Sequence, residues 1–539
     1  MNYARLFEDC AERNSGKNAL LCGSRRITYE GLSASSSRFA NALGKLGFAR
    51  QDKLAILAKN NIQCVEVMLA CFKADIIACP INTRLSSWEV AAALSGDEVS
   101  GVAFDSGSLE HARHLRSALP PSVTFIALDE TGACEHGALS FDELVGGASD
   151  RFEIVEAREG DIALELFTSG TTGLPKAVLH SHRKLSVFMA MFGFAARHGL
   201  AQRSIPTDDV ILGLLSLHHV SGLSTLYGLM SGATVVLLES FAIEAFLDAI
   251  QRYRVTRTTV PSTVVEWMLD RDDLASWDMS SLVEVSYGGS PISPHAVLEA
   301  ARALNCTLTQ AYGSTESLIV TVLSGRDHLE GAERGDQRVF SAGKPLVGVD
   351  VKVVDADGAR CAAGEEGEIV VMSPSSMEGY RGMSRGESGF DAEGWLRMGD
   401  LGYLDENGFV YVTGRKHDLI ISGGENVYPH EVERCIALLE EDVDAVAVAG
   451  VPHPKWGETP VAFVVRKSGS SVNERSIIAH CESRIARFKR PSAVVFLEAL
   501  PKDSLGKVLR EDLVRSYCGS GECVPRAVDG RAFDSQSPS

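Results

Sequence analysis

No run of apolar residues in the sequence approaches the ~20 needed to cross a bilayer as a helix, so no membrane span is expected. Basic charge is not in excess either: 71 Asp and Glu outnumber 52 Lys and Arg, for a formal net charge of −19. That balance argues against a general binder of nucleic acid or anionic membrane, whose affinity rests on neutralising phosphates. It leaves room for small anions, because one loop can be positive in an acidic chain. The 12 cysteines form no paired framework. Cys10, Cys22, Cys64, Cys71 and Cys79 lie in apolar surroundings that suit reduced core thiols, and Cys518 with Cys523 are too few for a metal site. A reducing, cytoplasmic compartment is expected. The first ten residues carry Glu8 and Asp9 and read unlike a signal peptide, and Gln536-Ser537-Pro538-Ser539 does not match a peroxisomal address. No internal repeat is evident.

What is present is an ordinary globular composition, 45% hydrophobic and 23% charged over 539 residues, enough for several subdomains. The most informative stretch is Thr168-Ser169-Gly170-Thr171-Thr172-Gly173-Leu174-Pro175-Lys176. Glycines let backbone N–H groups approach a ligand, hydroxyls add donors, and the lysine adds a point charge, which together suit a polyphosphate. It is not a Walker A loop: the glycine-to-lysine spacing is wrong, and neither Ser nor Thr follows the lysine. Taken alone, the stretch has a lesser alternative reading as a polar surface loop.

Apolar periodicity predicts helices over 34–46 and 64–74 flanking a buried strand at 53–58. A strand over 161–167 runs straight into the Gly/Thr loop, with extended chain again at 176–179 and a helix over 185–196. Strands at 210–215, 234–238, 283–287 and 307–312 alternate with helices such as 243–253 and 294–304, which is an α/β organisation with largely parallel sheets. Beyond residue 341 the texture changes to short strands at 348–355, 367–373 and 408–413 with Asp-Gly and Asn-Gly turns. After Arg415 a compact α+β segment follows, with helices over 431–438 and 476–488 and strands over 445–450 and 460–466. The expected fold class is therefore α/β: a large N-terminal domain of α/β subdomains plus a small β-rich unit, then a small mobile α+β C-terminal domain. The expected bounds are 1–415 and 416–517, followed by a polar tail, 518–539, expected to be disordered.

Further motifs make the Gly/Thr loop interpretable: Tyr312-Gly313-Ser314-Thr315-Glu316 after a strand, Asp400 in Arg397-Met398-Gly399-Asp400, Arg415 in Thr413-Gly414-Arg415-Lys416, and Lys507 in Pro501-Lys502-Asp503-Ser504-Leu505-Gly506-Lys507. Each alone has a bland reading as a turn carboxylate or a solvated cation. In this order, over nearly the whole chain, they resemble the adenylate-forming superfamily of acyl- and aryl-CoA synthetases, firefly luciferase and nonribosomal-peptide adenylation domains, with acyl- or aryl-CoA ligases the nearest in pattern.

The resemblance implies an AMP-forming acid–thiol ligase that uses ATP, Mg²⁺ and coenzyme A. A carboxylic acid attacks the α-phosphate of ATP and releases pyrophosphate, and a thiol then takes the acyl group from the adenylate. It implies that the loop from Thr168 through Ser169, Gly170, Thr171, Thr172 and Gly173 to Lys176 holds the β- and γ-phosphates. Thr315 is expected on the α-phosphate, and Glu316 on Mg²⁺. Tyr312 and Gly313, with Gly288 and Gly289, are expected at the adenine, Asp400 and Arg415 at the ribose, and Lys507 between carboxylate and phosphate. Positioning and fixed positive charge dominate such chemistry. The second step is expected to need rotation of the C-terminal domain about His417, where the family more often has Asp or Lys. Histidine there suggests a pH-sensitive switch. Gly423 and Gly424 are expected along the thiol's path, with Trp456, Lys489 and Arg490 as contacts of the CoA nucleotide. Simple packing is an equally good reading of Trp456.

Ser216-Leu217-His218-His219-Val220-Ser221-Gly222 matches the family's His-x-x-Gly element, which implies an acyl pocket lined by His219, Val220, Tyr287 and Ala311. No Asp stands ready for a substrate ammonium group, so an amino acid is disfavoured, and the apolar flanks suit a hydrophobic aliphatic or aromatic acid. Met398 and Ser181 stand where the family usually has Thr. The pattern around Lys507 is also one that lysine acetyltransferases recognise in acyl-CoA synthetases. A homodimer is left open. The alternatives are an acyl-AMP ligase loading a carrier protein and a non-catalytic nucleotide- or acyl-binding paralogue.

Overall fold

The computed structural model describes residues 2–94, 99–130, 137–168, 175–197, 207–289, 292–416, 418–422, 425–454, 456–482, 484–502 and 508–519. The chain divides into two compact units. One comprises 1–351 and 371–398, and the other 352–370 and 399–539. The division therefore groups 352–370 and 399–415 with the C-terminal segment.

The first unit is built on two large sheets. One has nine strands in the order Lys344–Pro345, Leu318–Leu323, Thr307–Ser314, Glu284–Gly288, Arg257–Pro261, Val210–Gly213, Thr234–Leu237, Asn18–Cys22 and Arg25–Thr28. Its central pairings are parallel, and antiparallel strands close each edge. The other has eight strands, in the order Gly379–Tyr380, Lys176–Ser181, Ile162–Thr168, Ile77–Pro80, Lys53–Leu57, Val99–Phe104, Thr124–Ala127 and Leu139–Ser140. The first three of these pair antiparallel, and the rest run parallel. The α/β expectation holds, and the sheets are largely parallel.

Local chemistry explains the helices between the strands. Asn61 caps helix Ile62–Ala74 by accepting from the Cys64 N–H at 2.7 Å, and Asp75 ends it in the left-handed region at φ 56°. Ser293 caps helix Pro294–Leu304, with proline at its first position. Apolar faces of these and neighbouring helices cover the nine-stranded sheet, where Phe246, Val265, Val285 and Leu308 are buried together. Leu57, Val102, Phe104 and Leu115 form the corresponding core beside the eight-stranded sheet.

In the second unit, residues 352–354, 367–370, 399–404 and 410–415 form one sheet. A second runs in the order Glu425–Val427, Ile420–Ser422, Gly457–Arg466, Val443–His453, with Ala493–Leu497 added parallel to Gly457–Arg466. Helices Pro429–Ala437 and Glu474–Glu482 pack their apolar faces on it around Val432, Ile436, Val464 and Ile477. No described helix is long and apolar enough to cross a membrane.

Candidate active site

The Gly/Thr stretch joins the ends of an antiparallel hairpin. Strand Ile162–Thr168 enters it, strand Lys176–Ser181 leaves it, and Thr168 faces Lys176 as the last pair. Ser169, Gly170, Thr171, Thr172 and Gly173 lie outside the described residues. The short strand Gly379–Tyr380 adds to the outer edge, Tyr380 opposite Val178. From there the Tyr380 ring lies under the Lys176 ammonium, 5.2 Å from centroid to Nζ. Its hydroxyl donates to Glu316 Oε1 at 2.7 Å. One aromatic residue thus touches both the lysine of the hairpin and the carboxylate of the Tyr312–Glu316 motif.

That motif forms the turn between strands Thr307–Ser314 and Leu318–Leu323. Ser314 and Ser317 brace it reciprocally, each hydroxyl accepting from the other's N–H at 3.2 and 3.0 Å. The turn is tight enough that a Cβ on Gly313 would sit 1.9 Å from the Leu318 carbonyl oxygen, and Leu318 itself takes φ 58°. A β-carbon is excluded at the first position, and a bulky residue is held in the left-handed region at the other. Such local strain is common where a ligand-facing turn is over-determined by its surroundings. The adjacent strands are also close at Gly288, whose added Cβ would lie 2.9 Å from the Ala311 carbonyl oxygen, while Gly289 turns at φ 94°.

The hairpin and the turn are also joined through His180. This residue is fully buried, and its Nε2–H donates to the Thr315 carbonyl oxygen at 2.8 Å. Burial drives its pKa down to about 4 against the smaller opposing effect of that hydrogen bond, so the ring is neutral. Met377 N–H donates to the Glu316 carbonyl at 2.7 Å, which fixes the other side of the turn. Behind the hairpin, buried Glu165 pairs with Lys53 Nζ at 2.8 Å and with Arg381 Nε at 2.7 Å. A charge without water needs such partners, and here they lock Arg381, the neighbour of Tyr380, to the strand that feeds the loop.

Among the described residues no group of three or more His, Cys, Asp or Glu side chains is placed to hold a metal ion. A lone carboxylate such as Glu316 matches the way Mg²⁺ is usually held, by one or two carboxylates together with substrate phosphates.

The residues 7–381 match the family model described as AMP-binding enzyme, and 431–507 match that of the AMP-binding enzyme C-terminal domain. The chain belongs to the AMP-binding enzyme family. It is 32% identical to an indoleacetate–CoA ligase of Aromatoleum aromaticum, over 95% of this chain and 98% of the relative. It is also 32% identical to a fatty acid–[acyl-carrier-protein] ligase, ScoC, of Streptomyces coeruleorubidus, over 93% of each. The ATP-bound crystal structure of MatB from Rhodopseudomonas palustris superposes with a TM-score of 0.84 at 27% identity, covering 96% of this chain and 99% of that one. By this kinship the protein is an enzyme of the acid–thiol ligase class.

Within the AMP-binding enzyme framework, the His-x-x-Gly element folds as a tight turn. Its 3₁₀ segment Val220–Gly222 follows His219, and a Cβ on Gly222 would meet the Ser216 carbonyl oxygen at 2.5 Å. Asn60 holds the turn from the neighbouring segment, accepting from Leu217 N–H and donating to Leu215 O, both at 3.1 Å. The His218 and His219 rings lie 4.2 Å apart. Burial, then the neighbouring His219 and Arg84, push His218 down to about 3. Ala311 and Val220 are half-buried. Tyr287, expected at the acyl pocket, is 1% exposed, with its hydroxyl 3.2 Å from Gln310 Oε1 and 3.0 Å from His328 Nε2. It lies on strand Glu284–Gly288 beside Gly288, and the residues 284–287 are all buried.

In the second unit Asp400 and Arg415 meet as a register pair, Nε to Oδ1 at 2.7 Å. Lys489 Nζ is held by both Glu431 oxygens at 2.8 and 2.7 Å, and Arg490 donates to the carbonyls of Ile485 and Glu482. Trp456 is 37% exposed and stacks near His453, centroids 6.4 Å apart. His417, Gly423, Gly424 and Lys507 lie outside the described residues, as does the tail beyond residue 519. The loop of Lys507 is flanked by an antiparallel bridge, Lys502 to Val508. Sequence reasoning missed Tyr380, His180, Glu165 and Arg510. The only signal for Tyr380 was its Gly-Tyr dipeptide, and its partner is 64 residues away.

Proposed function

We propose that this enzyme activates a hydrophobic aliphatic or aromatic carboxylic acid with ATP and transfers the acyl group to coenzyme A. The observation that carries this reading is the Lys176–Tyr380–Glu316 contact, in a chain akin to acid–thiol ligases over more than nine-tenths of its length. In the first step a carboxylate oxygen bonds to the α-phosphorus, the bond to the β-bridging oxygen breaks, and pyrophosphate departs with the electron pair. Lys176 and the backbone of 169–173 grip the leaving pyrophosphate, and Thr315 hydrogen-bonds the α-phosphate. Glu316 holds Mg²⁺, which when bound offsets phosphate charge. Tyr312, Gly313, Gly288 and Gly289 accept the adenine, Asp400 and Arg415 the ribose, and Lys507 draws the two anions together.

In the second step the thiol sulfur bonds to the acyl carbon, AMP leaves with the bonding pair, and the thiol proton passes to the phosphate or to solvent. Residues 416–517 are the body that turns about His417 between steps, with Gly423, Gly424, Trp456, Lys489 and Arg490 lining the thiol's approach. His219, Val220, Tyr287 and Ala311 face the acid. The kinship with a carrier-protein ligase supports a second reading of the acceptor, a pantetheine thiol on a protein. An assay with coenzyme A as sole acceptor tests the choice. A thioester formed in step with AMP supports the proposal, whereas acyl-AMP accumulating without thioester points to the carrier protein.

A further inference from the structure

Tyr380 has three neighbours that bear on one another. Its hydroxyl donates to Glu316, its ring lies under the Lys176 ammonium, and its backbone belongs to a strand paired with the one that begins at Lys176. The segment around it is fixed on both sides. Met377 N–H donates to Glu316 O at 2.7 Å, Arg381 N–H donates to Ala177 O at 3.0 Å, and the Arg381 guanidinium is anchored on buried Glu165. A neutral donor on one carboxylate oxygen fixes the carboxylate's orientation, and an aromatic face beneath an ammonium limits where the ammonium can go.

We propose that Tyr380 is a positioning residue that sets the Glu316 carboxylate and the Lys176 ammonium as one unit, coupling the cation site to the polyphosphate grip. The proposal rests on the reading of Glu316 as the Mg²⁺ carboxylate and of Lys176 as a phosphate contact. It assigns separate work to the hydroxyl and to the ring. The hydroxyl aligns Glu316 and so governs how nucleotide binding depends on Mg²⁺. The ring holds Lys176 and so governs binding of the polyphosphate even without the metal.

Calorimetric titration of the full-length protein with ATP, in EDTA and over a series of Mg²⁺ concentrations, separates the two. Tyr380→Phe keeps the ring, so it should leave affinity in EDTA unchanged while raising the half-saturating Mg²⁺ concentration about tenfold, the size expected for a lost hydrogen bond to a charged group. Tyr380→Leu should weaken ATP binding in EDTA as well, as should Lys176→Ala. Glu316→Gln serves as the control and should abolish the Mg²⁺ dependence. If Glu316→Gln shifts that dependence and Tyr380→Phe does not, the role of Tyr380 is overturned and the reading of Glu316 stands. If Glu316→Gln leaves it unchanged, both fall. An equal loss with and without Mg²⁺ in Tyr380→Phe, accompanied by a lowered melting temperature, would mark a purely structural residue and also overturn the proposal.

Discussion

Asp400 faces Arg415 directly across antiparallel strands, and the guanidinium Nε lies 2.7 Å from Oδ1. Asp400 is nearly buried while Arg415 is 38% exposed, so the pair has a fixed, sheltered acceptor and a more accessible donor. Asp400→Ala removes the proposed acceptor of the ribose hydroxyls. AMP affinity should fall on the order of 10- to 100-fold, the worth of one or two hydrogen bonds to a charged group. Calorimetric titration with AMP checks this, and unchanged affinity would place the ribose elsewhere.

Arg510 ties together three parts of the second unit. It reaches Glu433 Oε1 at 2.7 Å, the Val448 carbonyl at 3.1 Å and Asp418 Oδ2 at 3.3 Å, three residues after Lys507 and one residue after His417 respectively at its two ends. Glu433 is buried, and burial alone would raise its pKa. His430, Arg510 and the Val448 N–H outweigh that and hold it below the ordinary carboxylate value. Arg510→Ala leaves this charge short of a partner and should cost about 3 kcal/mol of stability. Arg510→Lys should not restore it, because one ammonium cannot replace a guanidinium that serves three acceptors. Urea denaturation of the three proteins decides it, and a loss under about 0.5 kcal/mol contradicts the account.

Buried histidines set the acid limit of the fold. His328 is held down at about 4 and His218 at about 3, each chiefly by burial, against about 6.5 in an unfolded chain. Below pH ~6.5 the unfolded chain takes up protons that the folded one refuses, so stability is full above that pH and is lost as pH falls toward 4. Each histidine adds a slope of up to about 1.4 kcal/mol per pH unit. His328→Gln should flatten the dependence between pH 6 and 4.5 by about one proton. Denaturation midpoints across that range measure it, and an unaltered slope means His328 already protonates in the folded state.

The turn of the acyl element depends on a missing side chain. Gly222→Ala places a carbon 2.5 Å from the Ser216 carbonyl and 2.7 Å from the Leu217 Cα, both backbone atoms that cannot swing aside. The strain should cost roughly 1–3 kcal/mol and displace His218 and His219. The Michaelis constant for the acid should rise more than that for ATP, and an equal effect on both would separate this turn from the acid.

Much of the fold was legible because its signals are local. Helices at 243–253 and 294–304 were expected from apolar periodicity at the bounds observed. The strands flanking the Gly/Thr stretch were legible from the same alternation, within a residue or two. What escaped is non-local. Tyr380 reaches Glu316 across 64 residues, and Arg381 reaches Glu165 across 216. No spacing rule links such positions, because only the sheet order brings the strand Gly379–Tyr380 beside the hairpin.

The central claim is acid-dependent adenylation, and exchange of labelled pyrophosphate into ATP measures it without any acceptor thiol. With Mg²⁺ and a panel of aliphatic, aromatic and dicarboxylic acids, the account predicts exchange that requires an acid, favours hydrophobic ones, and collapses in Lys507→Ala by 100-fold or more, on the order expected for one preorganised charge. No exchange with any acid of the panel, or exchange that survives Lys507→Ala undiminished, would contradict it.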